Sequence, residues 1–317
     1  MFRLQVLESV GSTNEVIKRA IENGEPEGLA IRAYCQTGGY GRQGRTWKSP
    51  RGGMYESILL RPKVDMRELP TLALVVALAV RRALAGLVAR NEARRISIKW
   101  PNDVVLVEED AAAPAGGRGA SRAVPHGRQL CELSTNAFPA RAGVPVGCSP
   151  KQDCLSTEPP THQRTCGDSS SEKNLYSKLA GISSEVHAGG VCVGIGVNVE
   201  PPREHMEVSG KNAPAYLTDL GFGFTCEHEA AVNEVGDAVL AAFEPLYAAW
   251  CEGGFSALAA EFAEHSMLEG RFVRMANQVG DVVHEGTVQG VDAAGRLLLA
   301  NGQGSTIAVA SGEVHLL

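Results

Sequence analysis

The sequence predicts an α+β protein, a body of mixed strands and helices followed by a small all-β unit. Three observations carry this. Strand-like and helix-like apolar spacings follow one another from residue 2 to about 265. From Arg271 onward, short β-like runs (RFVRM, GTVQGV, RLLLA, STIAV, EVHLL) are separated by Gly and Asn turns, as in a barrel-like appendage. The chain has 317 residues, which at roughly 150 residues per domain leaves room for both.

Residues 2–7 (FRLQVL) read as the first strand, and Ser12 with Glu15 three residues on forms a capping-box pattern that opens a helix to about Asn23. LAIRAYCQT at 29–37 is a second strand, followed by a Gly- and Arg-rich loop over 38–53 and a third strand, MYESILLRP. Pro70 to about Arg90 is the strongest helical pattern. ISIKW at 96–100, Val104–Val107 and VCVGIGVNV at 191–199 continue the β signal, and 228–265 is mostly helical.

Glu108 to Asn174 differs in composition. Only seven of its 67 residues are Leu, Ile, Val, Phe, Met, Tyr or Trp, and seven are Pro. Such a segment buries too little apolar surface to offset an ordering cost of roughly 1–2 kcal/mol per residue, so a disordered insertion is expected. The eight Cys form no CxxC pair, and positions 131, 148, 154 and 166 inside the insertion are too widely spaced for a metal cluster. Free thiols are expected.

Lys and Arg number 30 against 36 Asp and Glu, a net charge of −6, so no general attraction to nucleic acid is expected. The apolar run LALVVALAV at 72–80 ends at Arg81 and Arg82, short of the roughly 20 residues a bilayer needs. It is expected to be a buried helix, with no membrane partner. The first strand and helix follow Met1 closely, leaving no room for a targeting segment, so the expected location is cytoplasmic.

The chemistry-bearing residues fall in loops and strand ends. Gly39–Gly44 (GYGRQG) matches GxGxxG, yet a dinucleotide loop must open a helix, and here Pro50 and Gly52-Gly53 follow. What remains is a flexible glycine loop carrying Arg42, Arg45, Trp47 and Lys48. Its amides and guanidinium groups suit phosphate or carboxylate and its indole suits a flat ring; a solvated loop with an aromatic anchor fits equally well. Lys99-Trp-Pro-Asn-Asp103 ends a strand, where Asn and Asp after Pro are also ordinary turn formers. Lys178-Leu-Ala-Gly181 follows the insertion, and Gly194-Ile-Gly-Val-Asn198 is a strand whose backbone could approach a ligand.

Taken together with Ser12-Thr13-Asn14, these clusters resemble the biotin protein ligases, which attach biotin to carrier domains. The family pattern has STN at its first helix, a Gln before a GRGRxGRxW loop (here Gln36, then GGYGRQGRTW), then KWPND, KLAGI (Lys178–Ile182) and GIGxN. The resemblance covers nearly the whole chain outside the insertion. Tyr40 stands where many members have Arg, and Gly38 replaces the more usual Ala, which should loosen the loop. KWPND and KLAGI, normally close on adjoining strands, are separated by 108–174.

The resemblance implies a mixed sheet flanked by helices over residues 1–267, a small SH3-like barrel over 268–317, and a two-step reaction. Biotin's carboxylate joins the α-phosphate of ATP, releasing pyrophosphate, and the acyl group then passes to a lysine of a biotin carboxyl carrier domain. By this resemblance Lys178, Arg42 and Arg45 are catalytic, and Ser12, Thr13, Asn14, Gln36, Gly39, Tyr40, Gly41 and Lys178 bind biotin. Arg42, Arg45, Trp47, Lys99, Asn102, Asp103, Gly196 and Asn198 serve ATP, with Trp47 stacked on adenine. Magnesium is implied as the counter-ion of ATP, without a dedicated protein site. No winged-helix DNA-binding segment precedes residue 1, so the repressor function of some bacterial members is not expected. The rivals are a lipoate or octanoate ligase, which needs a long apolar slot, and a non-catalytic biotin or nucleotide binder, against which the retention of Lys178, Arg42 and Arg45 argues.

Overall fold

The computed structural model describes residues 2–108, 175–202, 213–223, 228–277, 281–302 and 304–316. The chain divides into one unit of residues 1–115 with 174–317 and a second of residues 116–173. The second unit, and with it the expected disorder of 108–174 beyond Glu108, lies outside the described residues.

A seven-stranded sheet forms the body. Its strands are β1 (Arg3–Leu7), β2 (Leu29–Ala33), β3 (Gly53–Leu60), β4 (Ile96–Lys99), β5 (Asp103–Val107), β6 (Tyr176–His187) and β7 (Gly190–Asn198), in the order β1-β2-β3-β7-β6-β5-β4. Only the β1–β2 pair is parallel, because the helix α1 (Thr13–Glu22) carries the chain across, whereas the remaining strands fold back antiparallel. α1 buries Ile17 and Ile21 against Leu29, Ile31, Leu59 and Cys192 on one face of the sheet. Side chains alternate along a strand, so Met54, Ile58, Leu60, Val191, Val193 and Ile195 point the other way. There they meet α2 (Leu72–Gly86) and α4 (His228–Gly253).

β3 is buried along its whole length, as a strand covered on both faces must be. It therefore has to place two polar side chains: Glu56, paired with Arg32 at 2.7 Å under α4, and Ser57 toward α1. With its preceding turn, the α2 stretch Leu69–Gly86 is long and apolar enough to cross a membrane by composition, longer than the nine-residue run expected. Its burial in the core accounts for that composition.

The capping box at Ser12 does not form. Ser12 occupies the N-cap position without a side-chain cap bond, and Glu15 turns to Tyr40 and Lys18 instead. α3 (Arg90–Ala93) is one short turn before β4, and α5 (Ala259–Glu264) follows α4. The β5–β6 pairing runs, through one register shift, to its outer end, where Glu108 N donates to Leu175 O at 3.2 Å.

The C-terminal strands β8 (Phe272–Ala276), β9 (Val282–Val291), β10 (Leu297–Ala300), β11 (Thr306–Val309) and β12 (Glu313–Leu316) form an antiparallel sheet, β11-β10-β9-β8-β12. Among the described residues its pairings do not close into the expected barrel. Val273, Met275, Leu297, Leu299 and Val314 join the core of the body, and Trp100 Nε1 donates to Gly295 O at 2.9 Å.

Candidate active site

Beside the N-terminus of α1, over β3, β7, β6 and β5, lies a cleft of about 860 Å³. Its roof is the glycine loop. It folds as a miniature hairpin: Gln36 N donates to Ser49 O (3.0 Å), Trp47 N to Gly39 O (2.9 Å) and Gly41 N to Arg45 O (2.8 Å). Gly44 sits at its tip with φ 71°, a conformation glycine adopts without steric cost. At Gly38 an added Cβ would meet only the Gly11 carbonyl, its oxygen at 3.4 Å and its carbon at 3.9 Å, so an alanine would find room there.

The inner end of the cleft is neutral and interlocked. Gln36 Oε1 accepts from Thr13 N (2.8 Å) and Thr13 Oγ1 (3.0 Å), while Gln36 Nε2 donates to Ser49 Oγ (2.8 Å). Ser57 Oγ lies 2.7 Å from Thr13 Oγ1 and 2.6 Å from Asn14 Oδ1, with one proton to give to either. Asn14 Nδ2 reaches Ser183 Oγ at 3.4 Å. Thr13, Asn14, Ser57 and Ser183 are all buried, and a Cβ on Gly194 would collide with Asn14 and Ser183. Burial without pairing would cost each group about 1–3 kcal/mol; the network removes that cost and fixes each side chain.

The outer end is cationic. In a regular strand Lys178 would point with Ala180 and Ile182 into the core. Instead the pairing jumps from Val104↔Ala180 to Val105↔Lys178. This bulge sends both Leu179 and Ala180 inward and turns Lys178 to the cleft, the re-aiming that bulges perform. The displaced backbone is still satisfied. Lys178 N donates to Ala213 O (2.8 Å), and Lys178 O accepts from Ala215 N (2.9 Å) and Asn198 Nδ2 (3.0 Å). Lys178 Nζ stands 2.7 Å from Asp103 Oδ1 and 5.0 Å over the Trp47 ring.

Trp47 lies flat against β6 and β7, where a Cβ on Gly181 or Gly196 would come within 2.9 Å of the indole. Gly196, expected to face the nucleotide, is thus covered by Trp47, whose buried Nε1 has no hydrogen-bond partner among the described residues. Arg42 Nη1 donates to Asn102 Oδ1 at 2.9 Å, and Asn102 Nδ2 to Ile182 O at 2.9 Å. Burial lowers the pKa of the Arg42 guanidinium, against the attraction of Asp103 and with the repulsion of Arg45. Arg45 pairs with Glu313 of β12, and nearly buried Lys99 holds its ammonium 5.0 Å over the Tyr176 ring.

Thr13, Asn14, Gln36, Tyr40, Gly41, Arg42, Arg45, Trp47, Lys99, Asn102, Asp103, Lys178, Gly196 and Asn198 all line the cleft; Ser12 and Gly39 do not. Ser12 is buried at the start of α1, and Gly39 packs the hairpin, where a Cβ would strike Ser49. Sequence reasoning missed Ser183, Glu313 and His315, which line the cleft, and Ser57, which is buried behind Thr13 and Asn14. For Ser57 a signal existed, a hydroxyl in an otherwise apolar strand. Among the described residues no three His, Cys, Asp or Glu gather as a metal group.

Residues 6–118 match the biotin/lipoate A/B protein ligase family, and residues 270–317 match the biotin protein ligase C-terminal domain. Among curated proteins, the bifunctional ligase/repressor BirA of Bacillus subtilis is 36% identical over 100 residues, 31% of this chain and 29% of that protein. The biotin--[acetyl-CoA-carboxylase] ligase of Mycobacterium tuberculosis is 27% identical over 99% of this chain and 89% of its own. The chain thus spans under a third of the length of the Bacillus relatives it matches. In fold it is similar to the biotin protein ligase of Aquifex aeolicus in complex with biotin and ATP, with TM-score 0.62 and 23% identity over 100% of this chain and 99% of that one. With both matches in order, the chain carries a biotin/lipoate A/B protein ligase domain followed by a biotin protein ligase C-terminal domain.

Proposed function

We propose that this protein activates biotin with ATP and transfers it to a lysine of biotin carboxyl carrier domains. The observation that carries this is the pairing of a neutral, hydrogen-bonded pocket end with a cationic end in one cleft. Biotin's ureido ring, both donor and acceptor, suits Thr13, Asn14, Gln36 and their partners, with Ser12 shaping the start of α1. Its carboxylate then extends toward Lys178. A carboxylate oxygen attacks the α-phosphorus of ATP and pyrophosphate leaves; negative charge accumulates between the reactants, where a fixed ammonium stabilises it. Lys178 exchanges Asp103 for the reacting anions at this point, and Asp103 holds it aimed beforehand.

Arg42 and Arg45 neutralise phosphate and keep the hairpin closed, excluding water from the mixed anhydride. Trp47 forms the wall against which adenine packs. Lys99, Asn102 and Asp103 border the nucleotide side, and Asn198 acts through the Lys178 carbonyl. In the second step the carrier's lysine amine attacks the acyl carbon and AMP leaves. Magnesium arrives as the counter-ion of ATP, and no protein ligand is assigned to it; Asp103 and Glu313 at the cleft pair with Lys178 and Arg45. The protein acts in the cytoplasm, with neither nucleic acid nor membrane as a partner.

A lipoate ligase would need a long apolar slot, and the inner end of this cleft is polar. The test is to incubate the protein with ATP, magnesium and a carrier domain, with biotin or lipoate in parallel, and weigh the carrier. Addition of one biotinyl group, with no lipoyl addition, is the expected result. Lipoyl addition alone would favour the rival, and no addition from either acid would favour a non-catalytic binder.

A further inference from the structure

Tyr40 departs from the family loop pattern, and its side chain has a set of partners of its own. Its hydroxyl donates to Glu15 Oε1 at 2.5 Å and accepts from Lys18 Nζ at 2.8 Å, and the same ammonium lies 5.1 Å over the phenol ring. Lys18 also pairs with Glu185 Oε2 at 2.7 Å and Glu15 Oε1 at 3.5 Å. Glu15 and Lys18 belong to α1 and Glu185 to β6. One side chain of the hairpin is thereby tied to two fixed elements of the body.

We propose that Tyr40, Glu15, Lys18 and Glu185 form a latch that holds the glycine hairpin over the cleft before any ligand binds, making Tyr40 a positioning residue for Arg42 and Trp47. Tyr40 pairs across the hairpin with Thr46 and lies two residues from Arg42 and one pairing step from Trp47. Fixing it fixes the hairpin that carries both, Arg42 on the same arm and Trp47 on the facing one. The chain of donors runs one way: Lys18 gives to Glu185 and Tyr40, and Tyr40 gives to Glu15. Burial, together with the bond to Glu15, pushes the Tyr40 hydroxyl up to about 12, and the Tyr40 bond is the leading cause that lowers Glu15. A charge-assisted bond of this kind is stronger than a neutral one. With arginine at position 40 the link to Lys18 would become a repulsion, so the latch depends on the tyrosine.

The latch itself needs no ligand, whereas its consequence for catalysis rests on the biotin ligase reading. The hairpin carries trypsin sites at Arg42, Arg45 and Lys48, and cutting there tracks the population of the open hairpin when opening is fast. In the ligand-free protein, Tyr40→Phe and Glu15→Ala should each speed cutting at these sites about tenfold. Glu15→Gln, which keeps an acceptor oxygen, should recover most of the protection. The Tyr40→Phe/Glu15→Ala double variant should cut no faster than either single one, as expected of two residues acting through one contact. In the pyrophosphate assay Tyr40→Phe should raise the biotin KM by more than it lowers kcat.

Cutting within twofold of the parent in both single variants, at unchanged thermal stability, would overturn the latch, as would single effects that multiply in the double variant. If the hairpin opens as described but the parent loads no biotin onto a carrier, the latch stands and the ligase reading fails.

Discussion

The two ends of the cleft are built on different principles. The inner end, made by α1, β3, β6 and the segment that follows β2, is buried, uncharged and internally satisfied: Thr13, Gln36, Ser57, Asn14 and Ser183 hold one another in place. The outer end, made by β5, β6 and the hairpin, holds Lys178, Arg42 and Arg45 on partners that a ligand can displace, Asp103, Asn102 and Glu313. A rigid neutral network selects a ligand by shape and hydrogen bonding, because rejecting its partner leaves buried polar groups unpaired. Cations held by exchangeable carboxylates are suited to charge that appears only during reaction. In the proposed reaction, identity is set at one end and chemistry performed at the other.

Substitutions at the two ends should separate in size and in kind. The largest effect is expected at Lys178→Ala, which removes a charge where charge develops. Losing such a contact costs about 3–4 kcal/mol, a rate loss of roughly a hundred- to a thousandfold, read as biotin-dependent pyrophosphate release at nearly unchanged thermal stability. Next comes Arg42→Gly, which loses the bond to Asn102. A charge-assisted bond worth about 1.5–3 kcal/mol corresponds to ~10- to 150-fold more frequent opening of the hairpin. Activated biotin should then escape and label unrelated lysines, seen as biotinylation of bystander protein on a blot. A variant that is inactive without becoming promiscuous would place Arg42 in the chemistry instead.

Ser57→Ala should act at the inner end alone. It leaves Asn14 Oδ1 or Thr13 Oγ1 short of a donor, at about 1–3 kcal/mol, and should raise the biotin KM by ~5- to 150-fold with kcat nearly kept. The smallest effect is expected from replacing residues 108–174 by a short turn. The β5–β6 pairing already reaches Glu108 and Leu175, and loop closure costs only about 0.6 kcal/mol per doubling of length. Ligation of an isolated carrier domain should remain within a few-fold of the parent. A folded deletion that keeps adenylation but loses transfer would assign the segment to carrier docking.

The two ends also differed in how far the sequence disclosed them. Lys99–Asp103, Lys178 and the arginines of the hairpin stand in short motifs whose residue types announce charge chemistry, and the elements around them follow from apolar spacing. The orientation of Lys178 was hidden, because strand alternation alone points it into the core and only the unpaired Leu179 turns it round. Ser57 and Ser183 were hidden for another reason. A serine in a buried strand acquires meaning only when a long-range neighbour supplies its partner, and Asn14 lies 43 residues from Ser57 and 169 from Ser183. Ser12 misled because a capping pattern is local, whereas Glu15 found a stronger partner in Tyr40 across the fold. The open C-terminal sheet could not be told from a barrel by strand count.

The division between the two ends is tested most directly by one biotin titration of pyrophosphate release, run side by side on the parent, Lys178→Ala and Ser57→Ala. Lys178→Ala should lose kcat by roughly a hundredfold or more with little change in KM, while Ser57→Ala should raise KM and keep kcat. If both variants lost kcat alike, or if Lys178→Ala released pyrophosphate at a near-parental rate, selection and chemistry would not be separated along the cleft in this way.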